Sequence, residues 1–359
     1  MPAAGKHGFL LALSTPTLPW QGLWLGSTLG QPDLFAWFSL AVVFGLIPVL
    51  DWLVGHDPHN PSEEQARVIG RDPFFRILVL AAVPVQLASV VAGAWVFSTW
   101  PFAVAGQIGW TVSIGVVSGI VGIVSAHELI HRQSALDRVA GGVLLGTVCY
   151  GTFKVEHVRG HHADVGTPED ATTARFGQSF YAYLVQILPA NFFKAWRLEC
   201  ARLATEGQHT LSLRNELIWW TTLSLALAAG LVAAFGPRAP AFFLCQSLVA
   251  IALLEVIDYI EHYGLVRHRL ADGSYEPVSA RHAWNSDFLL SNLFLFNLQR
   301  HPDHHLYSRR PYQILRHIGR SPQLPAGYAT MVMIALIPPL WFAVMNPRVA
   351  ALHDGVTSG

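Results

Sequence analysis

From Ile77 to Ala126 the chain carries not one Asp, Glu, Lys or Arg. A helix needs about 20 mostly apolar residues to cross a bilayer. This run is long enough for two, and Ser98-Thr99-Trp100-Pro101 supplies the turn between them. A charge-free helical hairpin of that length dictates a lipid-embedded fold. Composition agrees: 52% of the 359 residues are hydrophobic and 13% charged, against about a quarter charged in soluble domains.

Applied to the whole chain, the same criterion predicts an all-α, polytopic membrane protein in one domain, 1–359. Six spans are expected, at about 8–29, 34–54, 76–97, 102–127, 217–236 and 241–263. Pro16 and Pro19 weaken the first, and the N-terminal segment is too long and Pro-broken to read as a cleaved signal peptide. The run 139–153 spans only half a membrane and is expected to be re-entrant or buried against the bundle. The run 331–345, interrupted by Pro338-Pro339, is expected at the interface. With the N-terminus inside, Arg238 is the one basic residue among the outer loops, as the positive-inside rule asks. Segments 127–216 and 262–325 then form a cap on the inner face. The net charge of zero gives no nucleic-acid footprint. Cys149, Cys200 and Cys245 make no CxxC pair, which excludes a fused rubredoxin-like or zinc-ribbon module.

Histidine is the outlier, with 17 residues. "HELIH" places His127 and His131 four residues apart, on one face of a helix. "EHVRGHH" repeats the four-residue step with His157 and His161 and adds His162. "HPDHH" supplies His301, His304 and His305, and His262 ends the sixth span. In the expected topology all nine fall on one membrane face. Taken alone, "HELIH" looks like a zinc-protease motif with Glu128 as base, and any one cluster is as readily an incidental group of surface histidines. Together the nine exceed the four ligands of a structural zinc and suffice for two metals that accept imidazole. Heme-thiolate and iron–sulfur chemistry lack their cysteines. The other eight, His7, His56, His59, His209, His268, His282, His317 and His353, are expected not to be ligands.

Neutral rings leave the metals' charge uncompensated, so carboxylates are expected around them. Glu255 and Asp258 lie on the helix of His262. Glu128, Glu156, Asp164, Asp170, Glu261 and Asp303 adjoin the clusters. Each is equally a solvated acid until its neighbours are known. The cations Arg300, Arg309, Arg310, Arg316 and Arg320 either face the membrane or receive an acidic electron donor.

The extended strings "HELIHR" (127–132), "EHVRGHHADVGTPEDATTARFGQS" (156–179), "YIEHYGLVR" (259–267) and "LQRHPDHHLYSRRPYQ" (298–313) resemble those of the membrane-bound non-heme diiron alkane 1-monooxygenases. "HAWNS" and "LPAGYATM" extend the likeness over nearly the whole chain. The wider histidine-rich group, with HxxxH, then HxxHH or HxxxHH, then HxxHH, also holds fatty-acid desaturases, xylene monooxygenase and sterol oxidases. Departures are mild: the family commonly has Gly where this chain has Ile130 and Lys where it has Arg132.

The resemblance implies that the nine histidines hold two irons. It also implies dioxygen as cosubstrate, reduced rubredoxin as donor, and a NAD(P)H-dependent rubredoxin reductase behind it. The product is a 1-alkanol made from a medium- or long-chain n-alkane. It further implies a bacterial inner membrane with the site facing the cytoplasm. No heme, flavin or cluster signature lies in this chain, so electrons are expected from outside. An alkane can be held only by buried area, at about 0.8 kcal/mol per CH₂. A narrow apolar tube is therefore expected among the spans, lined by residues such as Val43, Phe44, Leu80, Val83, Leu87 and Ile123.

Two other readings remain open. A related desaturase, or a hydroxylase of methyl-arenes or other lipids, shares the ligands and differs in substrate pose. A metal transporter would spread its histidines and acids through the bilayer instead of gathering them on one face.

Overall fold

The computed structural model describes residues 5–357, with side chains through Leu352. The side chain of His353 lies outside the described residues. The described chain is helical without a strand; three isolated bridges pair His56 with Phe288, Arg269 with Tyr275 and Asn285 with Gln323.

Four helices are long and apolar enough to cross a membrane: Pro73–Thr99, Val104–Ile130, Glu216–Phe235 and Ala239–His262. A fifth candidate is the pair Tyr328–Ala335 and Pro338–Leu352, bent by 118°. Pro338-Pro339 lacks the amide donors that would carry one helix through. Six spans were expected, and the first two form no single helix of spanning length. Residues 8–29 fold as short pieces, Leu10–Ser14 and Leu18–Leu29, joined by a 3₁₀ turn at Pro16. Residues 34–54 give the shorter helix Phe38–Val54, widened to a π turn at Ala41–Leu46.

Contacts nevertheless carry these two segments along the bundle and back. Phe9 packs on Phe75 and Tyr312, with ring centroids at 6.0 and 5.1 Å. Trp20 meets Trp110 at 5.5 Å, and Asp33 accepts the Ala103 amide at 2.8 Å. Asp51 then accepts the Ser291 amide at 2.9 Å.

The apolar run 139–153 is buried, as a broken helix. Ala135–Gly146 stops at Thr147, Cys149 takes φ 55°, and Gly151–Glu156 resumes. A break inside an apolar bundle frees backbone groups that have no water to meet. Gln246 donates to the Thr147 carbonyl at 3.1 Å. Gln86 donates to Ser118 at 2.9 Å and to the Thr147 hydroxyl at 3.2 Å. Two buried glutamines thus tie three long helices to the break.

Helices Val104–Ile130 and Ala239–His262 run parallel. A Cβ on Gly115 would lie 2.6 Å from Val249 Cβ and 2.8 Å from the Gln246 carbonyl, and one on Gly119 would meet Leu253 at 3.3 Å. Successive turns match, so the two C-termini emerge side by side with His127 and His262 on them. Only glycine allows the approach at Gly115. Gly115→Leu is expected to cost about 1–3 kcal/mol through overpacking, and a lowered melting midpoint in detergent checks it.

Candidate metal centre

Each histidine segment is a helix end or a short helix docked at one end of the bundle. His127 lies on the last turn of Val104–Ile130 and His131 just beyond it, below a π turn at Ser118–Ile123. His157 and His161 sit in a second π turn, His157–His161. His262 closes helix Ala239–His262, and His301–Leu306 is a single short helix. Seven of the nine rings are buried, and His131 and His162 are half-buried.

The structure brings all nine together. Ring nitrogens of His127, His131, His157 and His304 lie within 4.8 Å of one another, and so do those of His161, His262, His301 and His305. His162 joins the first group: its Nε2 is 3.2 Å from His157 Nε2 and 3.1 Å from His304 Nε2. The expected four-residue pairing holds for His127 with His131 but fails for His157 with His161, which face different groups. The π turn is the reason, because it aligns residues five apart and so pairs His157 with His162.

These rings fit a pair of imidazole-binding metals on their own chemistry. His262 Nε2 lies 3.0 Å from His301 Nε2, which lies 2.9 Å from His305 Nε2. His127 Nε2, His131 Nε2 and His161 Nε2 are buried with no hydrogen-bond partner. Buried unpaired nitrogens are costly, and five- and four-nitrogen sets around two cations remove that cost.

Two groups outside the cluster hydrogen-bond to the rings, and a third lies close to one. Asp170 meets His161 Nδ1 at 3.0 Å, Glu261 lies 3.2 Å from His301 Nδ1, and the His282 carbonyl accepts from His262 Nδ1 at 2.9 Å. Burial alone would raise the Asp170 carboxyl. His161 and Lys194 outweigh it and hold the group at about 2.

Asp170 and Glu261 are two of the acids marked in the sequence; Glu255, Glu128, Asp164 and Asp303 pair away from the rings. Glu255 accepts from Tyr150 and, at 3.3 Å, from Tyr183. Asp258 is buried against Glu261. Glu128 pairs with Arg132 at 2.9 Å and accepts the Tyr312 amide at 3.2 Å. Asp164 pairs with Lys194 at 2.9 Å. Asp303 takes Arg310 at 2.7 Å and the Arg316 amide at 2.9 Å. Asp170 and Glu261 were equivocal by spacing, because their partner rings arrive through long-range docking.

The expected cationic docking face is largely consumed inside the protein. Arg300 is buried and donates to the carbonyls of Leu315 and Asp57 at 2.7 and 2.8 Å, clamping two loops together. Arg310 lies on Asp303 and over the Tyr307 ring at 4.0 Å. Arg316 pairs with Glu63 at 2.7 Å. Arg309 is exposed.

An apolar cavity of about 80 Å³ lies between helices Phe38–Val54, Val104–Ile130, Ala239–His262 and Tyr328–Ala335. Val43, Phe44 and Ile123 line it, as expected. Leu80, Val83 and Leu87 do not, because helix Pro73–Thr99 packs on another side of Val104–Ile130, where Gln86 faces Gly122. Leu80 and Val83 join the core around Phe75 and Val121. Val124, Ile257 and Leu298 bring the cavity wall within five residues of His127, His262 and His301. Ser291 and Tyr328 are the polar exceptions in the wall.

Removing the Asp170 charge should loosen His161. Asp170→Asn is expected to lower metal affinity about 10–100-fold, read by metal titration of the purified protein. Burial, reinforced by neighbouring rings, holds His131, His157, His162, His301, His304 and His305 well below the usual histidine pKa. The unfolded chain binds those protons near pH 6.5 and the folded chain refuses them. The metal-free fold should therefore keep its stability above about pH 6.5 and lose it as pH falls; melting across pH checks this.

Residues 98–335 match the family model described as fatty acid desaturase. The chain is 51% identical to alkane 1-monooxygenase 1 of Pseudomonas aeruginosa, over 96% of this chain and 90% of that one. It is 48% identical to alkane 1-monooxygenase 2 of Alcanivorax borkumensis, over 98% and 92%. A more distant relative is the xylene/toluene monooxygenase hydroxylase component XylM of Pseudomonas putida, 30% identical over 68% and 64%. The histidine architecture and this likeness along the whole chain agree: the chain belongs to the fatty acid desaturase family and, within it, to the alkane 1-monooxygenases.

Proposed function

We propose that the protein hydroxylates the terminal carbon of medium- or long-chain n-alkanes at a histidine-held diiron site. Dioxygen is the oxidant, and reduced rubredoxin, recharged by its reductase, supplies two electrons. One observation carries the reading: an apolar cavity shares Tyr328 with Glu261, which adjoins His301 in a buried cluster of nine imidazoles.

Two ferrous ions bound there would activate dioxygen for insertion of one oxygen atom into a C–H bond. The chain's own part is selection and exclusion. A terminal C–H bond is stronger than an internal one, so reactivity alone favours the wrong carbon. Val43, Phe44, Ile120 and Leu253 would hold the alkane lengthwise and admit its end first. Asp170 and the His282 carbonyl fix the rings of His161 and His262, and Glu261 places negative charge beside His301. Burial of the cluster keeps water from competing for it.

Relatives named as alkane 1-monooxygenases support the substrate class. The likeness to a xylene/toluene hydroxylase component raises methyl-arenes as a second substrate class, and the higher identity to the alkane 1-monooxygenases favours the linear chain. The parallel helices ending at His127 and His262 support a cap on one face. We place that cap on the cytoplasmic side of a bacterial inner membrane, above six crossings.

Metal analysis together with rubredoxin-supported turnover of an alkane series tests the proposal. Iron and a primary alcohol are expected; an alkene would make the protein a desaturase. Ile120→Phe should shorten the usable cavity and shift preference toward shorter alkanes, each lost CH₂ contact costing about 0.8 kcal/mol of binding. Comparing rates along the series reads that shift.

A further inference from the structure

Beneath the histidine cluster lies a group of side chains that neither holds metal nor lines the cavity. Tyr150 donates to the Glu255 carboxylate, and Tyr183 donates to its other oxygen at 3.3 Å. All three are buried. The Tyr150 ring stacks on Phe153 at 5.9 Å, and Phe153 stacks on His157 at 4.6 Å. On the outer side the Tyr183 ring lies 5.5 Å from Tyr259, which lies 5.0 Å from Trp341. Tyr259 donates to the Gln178 carbonyl at 2.8 Å, beside the exposed residues 175–177. Four readily oxidised rings, Tyr150, Tyr183, Tyr259 and Trp341, thus lie between the cluster and the exposed segment 175–177, with Phe153 bridging Tyr150 to His157 and the outer two rings still buried.

A carboxylate shared by two phenols could be a purely structural way to bury Glu255. Two phenols on its two oxygens would serve that role as well, but the stacked path to the cluster would then have no use. Phenols lose an electron easily only when the proton can leave at the same moment, and the shared Glu255 gives both the same acceptor. Phe153 gives the inner phenol a direct ring path to His157.

We infer that Tyr150, Tyr183 and Glu255 form a proton-coupled relay that drains oxidising equivalents from the cluster when oxygen is activated without an alkane in the cavity. The inference rests on the oxygenase reading. Tyr150 gives one electron to the oxidised centre and its proton to Glu255, leaving a neutral phenoxyl. Tyr183 then passes an electron to Tyr150. Glu255 returns the held proton to Tyr150 and takes that of Tyr183. A soluble reductant of the ascorbate class supplies the last electron through Tyr259 and Trp341. Tyr183 recovers its proton from Glu255, and the reductant's own proton goes to water.

The test uses the iron-loaded, full-length protein reduced by its electron donor and mixed with oxygen, with and without alkane, then frozen for electron paramagnetic resonance. A phenoxyl signal is expected without alkane and should shrink when alkane is present. Tyr150→Phe should abolish it, retain iron and coupled hydroxylation, and inactivate several-fold sooner in substrate-free turnover. Mass spectrometry of that variant should find more oxidised histidine in the cluster. Tyr183→Phe should leave the signal confined to Tyr150 and longer-lived. Primary alcohol is measured on the same preparation. Wild-type protein that makes alcohol but gives no phenoxyl signal overturns the relay alone, as does a signal of unchanged size in Tyr150→Phe.

Discussion

Nine imidazoles crowd into one buried site, four pairs of them with ring nitrogens only 2.9–3.2 Å apart, and as neutral rings they leave several nitrogens without a partner. His127, His131 and His161 Nε2 find no hydrogen-bond partner, and protonating the rings would set like charges against one another in a buried site. Each group is able to hold a cation, and a cation there would satisfy those nitrogens. The rest of the architecture can be read as the means of delivering those rings. Two long helices run parallel so that His127 and His262 emerge together. The broken helix at Thr147–Tyr150 turns the chain back so that His157 can reach them. Arg300 gathers the loops that carry the third group.

What the sequence disclosed follows from how local each signal is. Uncharged runs are properties of single segments, so four long helices were legible; the prolines that divide 8–29 were visible, but their effect on helix length was not. The nine histidines stood out by spacing and by their shared side of the membrane. Which face of a span meets which neighbour was not legible, because a helix apolar all round has no polar stripe to orient it. Leu80, Val83 and Leu87 were misplaced for that reason, whereas Val43, Phe44 and Ile123 line the cavity. Arg300 looked like surface charge because the carbonyls that bury it come from loops far away in sequence. Glu261 and Asp170 outrank Glu255 and Asp258 beside the rings through contacts that join distant segments.

The cavity and the cluster place opposite demands on the same helices. One needs walls with nothing to hydrogen-bond; the other needs dense polar contacts. The chain separates them along the helix axis. Gly119, Ile120 and Ile123 face the apolar space, and His127 follows one turn later. On the facing helix Leu253, Leu254 and Ile257 precede Glu261 and His262. Tyr328 stands at the border, lining the cavity while its hydroxyl donates to Glu261 at 2.7 Å.

The widened turn at His157–His161 bears on how such motifs are compared. In "HPDHH" an ordinary helix pairs the first and last rings, His301 with His305. In "HVRGHH" the first and last rings, His157 with His162, pair across one more residue, and the middle ring again crosses to the opposite group. The two spellings are therefore the same three-dimensional word, with the insertion swallowed by a bulge of the backbone. An ungapped alignment from the first histidine would set His161 against His305 and shift a ligand onto its neighbour; matching the outer histidines first avoids the error.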